Sequence, residues 1–435
     1  MSDWSNESAG IDPVWVRGMT QPRFSRRRFL RYAGVGAGAV GVSSILAACG
    51  VEEEAPGPNG PAGEGSPEWW AGLKDQGPEG QVNFTNWPAY IDIKTVQGER
   101  TRPTLDLFTK ATGIEVTYRA DINGNEDFYA AIRPALEAGQ DTGHNIIVIT
   151  NGKVFSEMMQ LGYLIALDHS LLPTFNANVS DVHKDPPYDP GNKYSIAWQS
   201  GFDGLAWNTK YVKEPVTSFM DLFNEKYAGH IGAWGLPEDS ASMAMLALGI
   251  APETSTPDDW QKAADLLIRL RDSGVLRKWY DQDYLTAIEN EDLWLTMAWS
   301  GDILNDKLYY PEFATFEFTV PEEGAVIWTD NMCIPTKAAH PLDAIMLMDW
   351  YYKPDMAARL TEWNAYVSPV PAGGEIVKAD AEAAKGANAE VLQTIASSPY
   401  AFPTPEIQEK SHTYRVLEGD EIEQWDDLFL PIFLA

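Results

Sequence analysis

The sequence predicts an α/β protein of two lobes, on three observations. Strand-like and helix-like stretches alternate from Gln81 onward. The run Asn145-Ile146-Ile147-Val148-Ile149 is continuously apolar, as a strand buried on both faces is. About 365 residues remain once an N-terminal address is set aside, enough for two lobes of ordinary domain size.

The first elements are read as follows. Gln81 to Trp87 alternates as a strand and runs into Trp87-Pro88-Ala89-Tyr90, where the proline stops it. Leu105 to Thr112 is a short helix closed by Gly113, Ile114 to Tyr118 a second strand, and Asn125 to Ala138 a helix leading to the apolar third strand. This order predicts a parallel sheet covered on both faces. It sets Trp87 and Thr150-Asn151 along one carboxyl edge, where open α/β sheets bind ligands. A helix over Phe155–Leu161 follows, then a stretch broken by Pro173, Pro186, Pro187 and Pro190. The strand Tyr194–Trp198 leads into Gly201–Asn208, the expected crossing to a second lobe. There, Ile231–Leu236 reads as a strand, and Glu238-Asp239-Ser240 opens a helix over Ala241–Leu248. A helix over 260–274 sets Trp260, Ala263, Leu267 and Leu270 on one face. Leu293–Trp299 is a buried strand ending in Ser300-Gly301-Asp302, and Phe316–Pro321 adds another.

The N-terminus is an address. Ser25-Arg26-Arg27-Arg28-Phe29-Leu30-Arg31 matches the twin-arginine export pattern, and the Gly/Ala-rich run to Ala48 is too short and too poor in large side chains for a permanent membrane span. Leu46-Ala47-Ala48-Cys49-Gly50 resembles a lipobox, implying cleavage before Cys49 and a lipid on its thiol. Residues 1–48 are thus expected to be a signal peptide and 49–67 a disordered tether, because Glu, Pro, Gly and Ala bury too little surface to fold. The destination is the periplasmic or extracellular face of the cytoplasmic membrane. With Cys49 committed, Cys333 has no cysteine to pair with, and no intrachain disulfide is expected.

Removing residues 1–48 leaves 26 basic and 60 acidic residues, a net charge of −34. Nucleic acid and anionic membrane surfaces are poor partners for such a chain, and a cationic ligand is attracted. High acidity also fits a purely solubilising role. The six histidines are scattered without metal-ligand spacing, so no metal or cofactor is expected. The acidic stretches lack the register and central glycine of a calcium loop.

One stretch stands apart: Ile327-Trp328-Thr329-Asp330-Asn331-Met332-Cys333-Ile334-Pro335 puts an acid inside an apolar run. A Trp and an Asp two apart on an extended chain point to the same side, offering a π-face and a negative charge to an organic cation. The competing reading is a strand end where Asp330 begins a turn.

The order of motifs resembles the spermidine/putrescine-binding periplasmic protein family. The matching pieces are Asn86-Trp87-Pro88-Ala89-Tyr90, Phe108–Ile114, Met220–Gly229, Ala298-Trp299-Ser300-Gly301-Asp302, Pro321-Glu322-Glu323-Gly324, Trp328–Met332 and, less closely, Asn364–Pro369, over about residues 82 to 372. The resemblance implies a two-lobed periplasmic-binding fold of type II with the ligand in the interlobe cleft. It places residues 68–200 with roughly 329–370 in a first lobe, and 201–328 with roughly 371–435 in a second. It also implies a monomeric, non-enzymatic binding protein that hands a polyamine or related amine to an ABC transporter permease. Trp87 and Tyr90 match the family's first-lobe aromatic pair, Trp299 its second-lobe cleft tryptophan, Trp328 and Asp330 its amine-contacting pair, and Tyr366 a late pocket aromatic. Asp239 falls where the family has a terminal-amine carboxylate. Two departures stand out. Leu236 replaces a second acid three residues before Asp239, and Asn151-Gly152-Lys153 replaces a Ser-x-Tyr. A lysine in the pocket would repel a polyamine, which leaves open a zwitterionic amine, an amino acid or opine, whose carboxylate pairs with Lys153. An exported hydrolase using paired carboxylates is the alternative of another class.

Overall fold

The computed structural model describes residues 63–434 apart from 97–98 and 311–312. The expectations for the twin-arginine stretch, for Cys49 and for most of the tether lie outside the described residues. At residue 63 the chain is already docked. The Glu64 carboxylate accepts the Lys337 backbone N–H at 3.0 Å. Ser66 caps helix α1 (Pro67–Gln76), its hydroxyl accepting the Trp69 N–H at 3.2 Å. Ser followed by Pro is a helix start, and the buried Trp70 donates its indole N–H to the Ala166 carbonyl at 2.8 Å. Ordered structure therefore begins before residue 67.

The predicted alternation is present: β1 (Gln81–Thr85), α2 (Pro103–Thr112), β2 (Glu115–Arg119), α3 (Asn125–Glu137), β3 (Ile146–Thr150) and α4 (Lys153–Gln160). β1 pairs in parallel with both β2 and β3, so the ends of β1 and β3 share one edge. The stretch expected to be a strand followed by a crossing is one 14-residue strand, β4 (Ser195–Asn208). Beyond it come β5 (Ile231–Trp234), α5 (Pro237–Ala247), α6 (Pro257–Asp272), β6 (Leu276–Tyr280), β7 (Leu295–Trp299), α7 (Ser300–Tyr309), β8 (Phe316–Thr319) and β9 (Ala325–Cys333). Helices α8 (Pro341–Trp350), α9 (Pro354–Asn364), α10 (Pro371–Ala383) and α11 (Ala387–Ser397), the short strand β10 (Ser411–His412) and α12 (Glu421–Leu434) complete the chain.

The main sheet runs β2-β1-β3-β9-β4-β7-β5-β6, with β8 on β4 and β10 on β9. It is not wholly parallel: β9 lies antiparallel between β3 and β4, and β4 is antiparallel to β7. The two long strands explain this. β4 pairs with β9 from Ser195 to Phe202, then with β7 from Asp203 to Trp207, so it belongs to both halves of the sheet.

The core divides accordingly. One apolar cluster takes residues from Trp70 to Trp198 and from Met332 to Val370. Another takes residues from Leu205 to Met297 together with Trp328, Tyr366 and the buried face of α12. β4 and β9 carry the chain across this seam. The β9 segment is a strand interior, not the strand end with a turn that was the competing expectation.

The start of β1 is held by one side chain. Asp343 on α8 is fully buried and accepts the backbone N–H groups of Glu79, Gly80 and Gln81 at 3.0, 2.8 and 3.2 Å. Replacing it with alanine leaves those donors without partners. The Asp343→Ala chain is expected to lose about 2–4 kcal/mol, read as a lower urea midpoint with an unchanged slope.

Candidate ligand-binding site

Asp330 is where the site begins. Its neighbours across the sheet are Thr150 on β3 and Gln199 on β4, and a bulge between Asp330 and Asn331 breaks the alternation just after it. Trp328 and Asp330 therefore share a side, while the strand is re-aimed beyond them. The carboxylate is buried and accepts the Thr150 hydroxyl at 2.6 Å. Tyr90 faces it from the loop after β1, and the ring of Tyr90 meets that of Tyr366 at 5.7 Å. Tyr366 in turn lies edge-on to Trp328 at 5.2 Å. Tyr90 packs against both apolar clusters, which puts this aromatic wall on the seam between the halves.

Two glycines make room for it. A Cβ on Gly201 would clash with the Trp328 and Tyr366 rings, and one on Gly301 would clash with Tyr366. Neither position requires an unusual backbone angle; the close approach of the rings is the reason for glycine.

The wall continues into the second half. Tyr366 donates its hydroxyl to Asp302 at 2.8 Å, and Tyr284 donates to the other oxygen of Asp302 at 2.9 Å. The Tyr284 ring stands edge-on to Trp299 at 5.8 Å, and Trp299 stacks on Trp234 at 4.5 Å. Trp299 faces two more carboxyls, Asp203 on β4 and Asp239 at the start of α5. Tyr414 donates its hydroxyl to Asp239 at 3.0 Å. Neither oxygen of the fully buried Asp203 accepts a well-formed hydrogen bond from the described residues.

Six of the seven ligand residues expected from the sequence lie on this line: Tyr90, Tyr366, Trp328 and Asp330 at one end, Trp299 and Asp239 at the other. Trp87 does not join them by ring contact. It is half-buried against the first apolar cluster, and its indole N–H is committed to the Val148 carbonyl at 3.1 Å. The sequence reading missed Asp203, Asp302, Tyr284 and Tyr414. Asp203 carried the same signal as Asp330, an acid between Phe202 and Gly204 in an apolar strand.

The Lys153 ammonium is already paired. It meets Glu126 at 2.8 Å and Asp426 at 2.9 Å, and the Lys153 backbone N–H donates to Glu238 at 2.6 Å. Burial opposes its charge, but Glu126 and Asp426 outweigh that and hold it above the usual lysine range. Asn151 likewise serves the frame. Its side chain accepts the Thr329 N–H at 2.7 Å while its own N–H donates to the Thr329 carbonyl at 2.8 Å.

Residues 142–394 match the family model for bacterial extracellular solute-binding proteins, which is more than half of the chain. The chain belongs to that family. Among curated relatives, this solute-binding protein is 29% identical over 332 residues to spermidine/putrescine-binding periplasmic protein 1 of Haemophilus influenzae, covering 76% of this chain and 85% of that one. It is 25% identical over 359 residues to the putrescine-binding periplasmic protein SpuD of Pseudomonas aeruginosa, covering 79% and 89%. Among solved structures, the spermidine/putrescine ABC transporter substrate-binding protein PotD of Streptococcus pneumoniae superposes with a TM-score of 0.65 at 20% identity, covering 81% of this chain and 98% of that one. The fold is the two-lobed type II periplasmic-binding architecture. The protein is an extracytoplasmic binding protein and not an enzyme.

The acids of this solute-binding protein respond to their enclosure. Burial pushes the Asp330 carboxyl up to about 7, against the hydrogen bonds from Thr150 and Tyr90. Burial likewise pushes Glu238 up to about 8, and raises both Asp203 and Asp239. Carboxylates of an unfolded chain titrate near 4, so between about pH 4 and pH 8 these four carboxyls keep protons in the folded chain that they lose in the unfolded one. Their contribution to stability falls as pH rises through this window, and buried His183, held down to about 4, opposes them only below the usual histidine range. The ligand-free melting temperature is expected to drop by on the order of 5 °C between about pH 5 and pH 8. A bound organic cation should restore more of it at the higher pH, which scanning calorimetry at the two pH values checks.

Proposed function

We propose that this chain captures a polyamine or related organic amine outside the cytoplasmic membrane and delivers it to the permease of an ABC importer by lobe closure. The observation that carries this reading is Asp330, a buried carboxylate walled by Tyr90, Tyr366 and Trp328 and met by the Thr150 hydroxyl at 2.6 Å and the facing Tyr90 phenol, with no cation beside it among the described residues. An ammonium group beside it supplies the missing charge, gains a charge-assisted hydrogen bond and lies against ring faces worth roughly 0.5–2 kcal/mol each. The acidity of the whole chain favours the approach of a cation. The names of the relatives, spermidine- and putrescine-binding, point to the same cargo.

In this reading the first lobe comprises residues 68–200 with roughly 329–370, and the second 201–328 with roughly 371–435. β4 and β9 serve as hinges, and a ligand spanning the seam stabilises the closed form. The protein works as a monomer. Export by the twin-arginine route and a lipid on Cys49 keep it at the outer face of the membrane, resting on the sequence of residues 25–50. A zwitterionic cargo finds less support, because Lys153, the cation that was to meet its carboxylate, is already paired with Glu126 and Asp426.

Calorimetric titration with putrescine and spermidine tests the proposal. Asp330→Asn is expected to weaken binding at least about tenfold, the loss of one charge-assisted contact. An affinity equal to that of the unaltered chain removes Asp330 from the site. Native mass spectrometry of freshly purified protein, expected to find an organic amine carried through purification, gives an independent reading.

A further inference from the structure

The second-lobe end of the line contains a carboxylate to which the family resemblance does not point. Asp203 lies on β4 directly opposite Trp299 of β7. It is fully buried, neither of its oxygens accepts a well-formed hydrogen bond from the described residues, and it faces the Asp239 carboxyl. Two other buried aspartates of the described residues are served very differently: Asp343 takes three backbone N–H groups, and Asp189 takes those of Lys193, Tyr194 and Ser195 together with the Ser195 hydroxyl. An unserved carboxylate beside a second carboxylate is unfavourable unless a cation comes to it.

We propose that Asp203 and Asp239 together form the pole that receives the second cationic group of the ligand, with Asp203 the residue that makes the site selective for an amine charged at both ends. This rests on the amine-binding reading above and adds to it one residue, Asp203, through which the site would prefer an amine charged at both ends to a monoamine or a zwitterion. One end meets Asp330. The other reaches the carboxyl pair beyond Trp299, with the aromatic line Tyr366–Tyr284–Trp299 between the two poles.

Two facing carboxyls in an enclosed site cannot both ionise alone, so the free pair retains a proton. The groups acting on Asp203 are burial, Asp239 and the Trp299 side chain, with no cation among them. Asp239 feels burial, the Tyr414 hydroxyl, Trp299 and, from the turn after β6, Asp281. Glu238, the preceding residue, is held by the Lys153 N–H, and the Lys153 ammonium is shared between Glu126 and Asp426. An entering ammonium takes the place of the shared proton, which leaves to solvent. A methyl group cannot do this, and a carboxylate adds a second negative charge to the singly charged pair.

Three probes with a common four-carbon chain separate these cases: putrescine, butylamine and 4-aminobutyrate, titrated calorimetrically at about pH 7 in two buffers of different ionisation enthalpy. The unaltered protein is expected to bind putrescine at least about tenfold more tightly than butylamine, and 4-aminobutyrate most weakly. Asp203→Asn should lower putrescine affinity about tenfold or more, leave butylamine within about threefold, and reduce the protons released per putrescine by up to about one. The variant should melt, ligand-free, no lower than the parent, since it removes a buried charge. If it does not fold, Asp239→Asn carries the same expectations. Unchanged putrescine affinity and proton release in the variant overturn this assignment while leaving the amine reading intact. Failure of the unaltered protein to bind either putrescine or spermidine overturns both.

Discussion

A carboxylate closed off from water with no cation beside it is the costliest group this chain carries, and the binding half of the structure is arranged around such groups. The chain also contains the opposite case. Asp343 and Asp189 are as deeply buried as Asp330 and Asp203, yet each is met by several backbone N–H groups. Those are structural carboxylates, charged parts of the frame whose donors are local and permanent. Asp330 has one hydroxyl at good distance and a facing phenol; Asp203 has no well-formed donor among the described residues. The difference lies in the company the residue keeps rather than in its type. In the proposed reading it separates carboxylates that hold the fold together from those that await a charge from outside.

The fold sets these acids at the seam. β4 and β9 each run through both halves, so a residue on either can serve a site between the lobes while its neighbours belong to one core or the other. Asp330 lies on one of the long strands and Asp203 on the other. Tyr90, from the first half, and Tyr366, on the segment after α9, close the wall. Glycine at 201 and 301 lets the rings come close. Opening the seam would part Tyr90 from Tyr366 and expose the acids, which is favourable for the carboxylates and unfavourable for the rings. A cation inside reverses the first preference without disturbing the second, and that is how a small ligand can decide between open and closed forms.

Much of this was legible in the sequence, and the rest was not for identifiable reasons. Alternating and continuous apolar runs gave β1, β3, β7 and β9 to within a residue or two, because periodicity is local. The antiparallel insertion of β9 between β3 and β4 was hidden, since it joins segments nearly two hundred residues apart. Asp330 was found because an acid in an apolar run is conspicuous. Asp203 is equally conspicuous, but Gly201–Asn208 was read as a crossing, where polarity is unremarked; only its place in a 14-residue strand makes it an oddity. For Trp87 the strand-end position was legible, but the commitment of its indole N–H to the Val148 carbonyl, on another strand, was not.

Lys153 is the sharpest instance of what separation in sequence conceals. As a letter after β3 it argued against a cationic ligand. In the fold it pairs with Glu126 on α3 and Asp426 on α12, while its backbone N–H holds Glu238 on α5. At the other end of the same helix, Gln160 donates to the Leu417 carbonyl at 2.8 Å and accepts the Gly419 N–H at 3.0 Å. Helix α4 is thus stitched at both ends to segments near the C-terminus. The lysine that stood against a polyamine is outnumbered by the acids around it, and its charge is used to join the two halves. What remains facing the seam is the acids Asp330, Asp203 and Asp239, and in the proposed reading the positive charge that balances them arrives with the cargo.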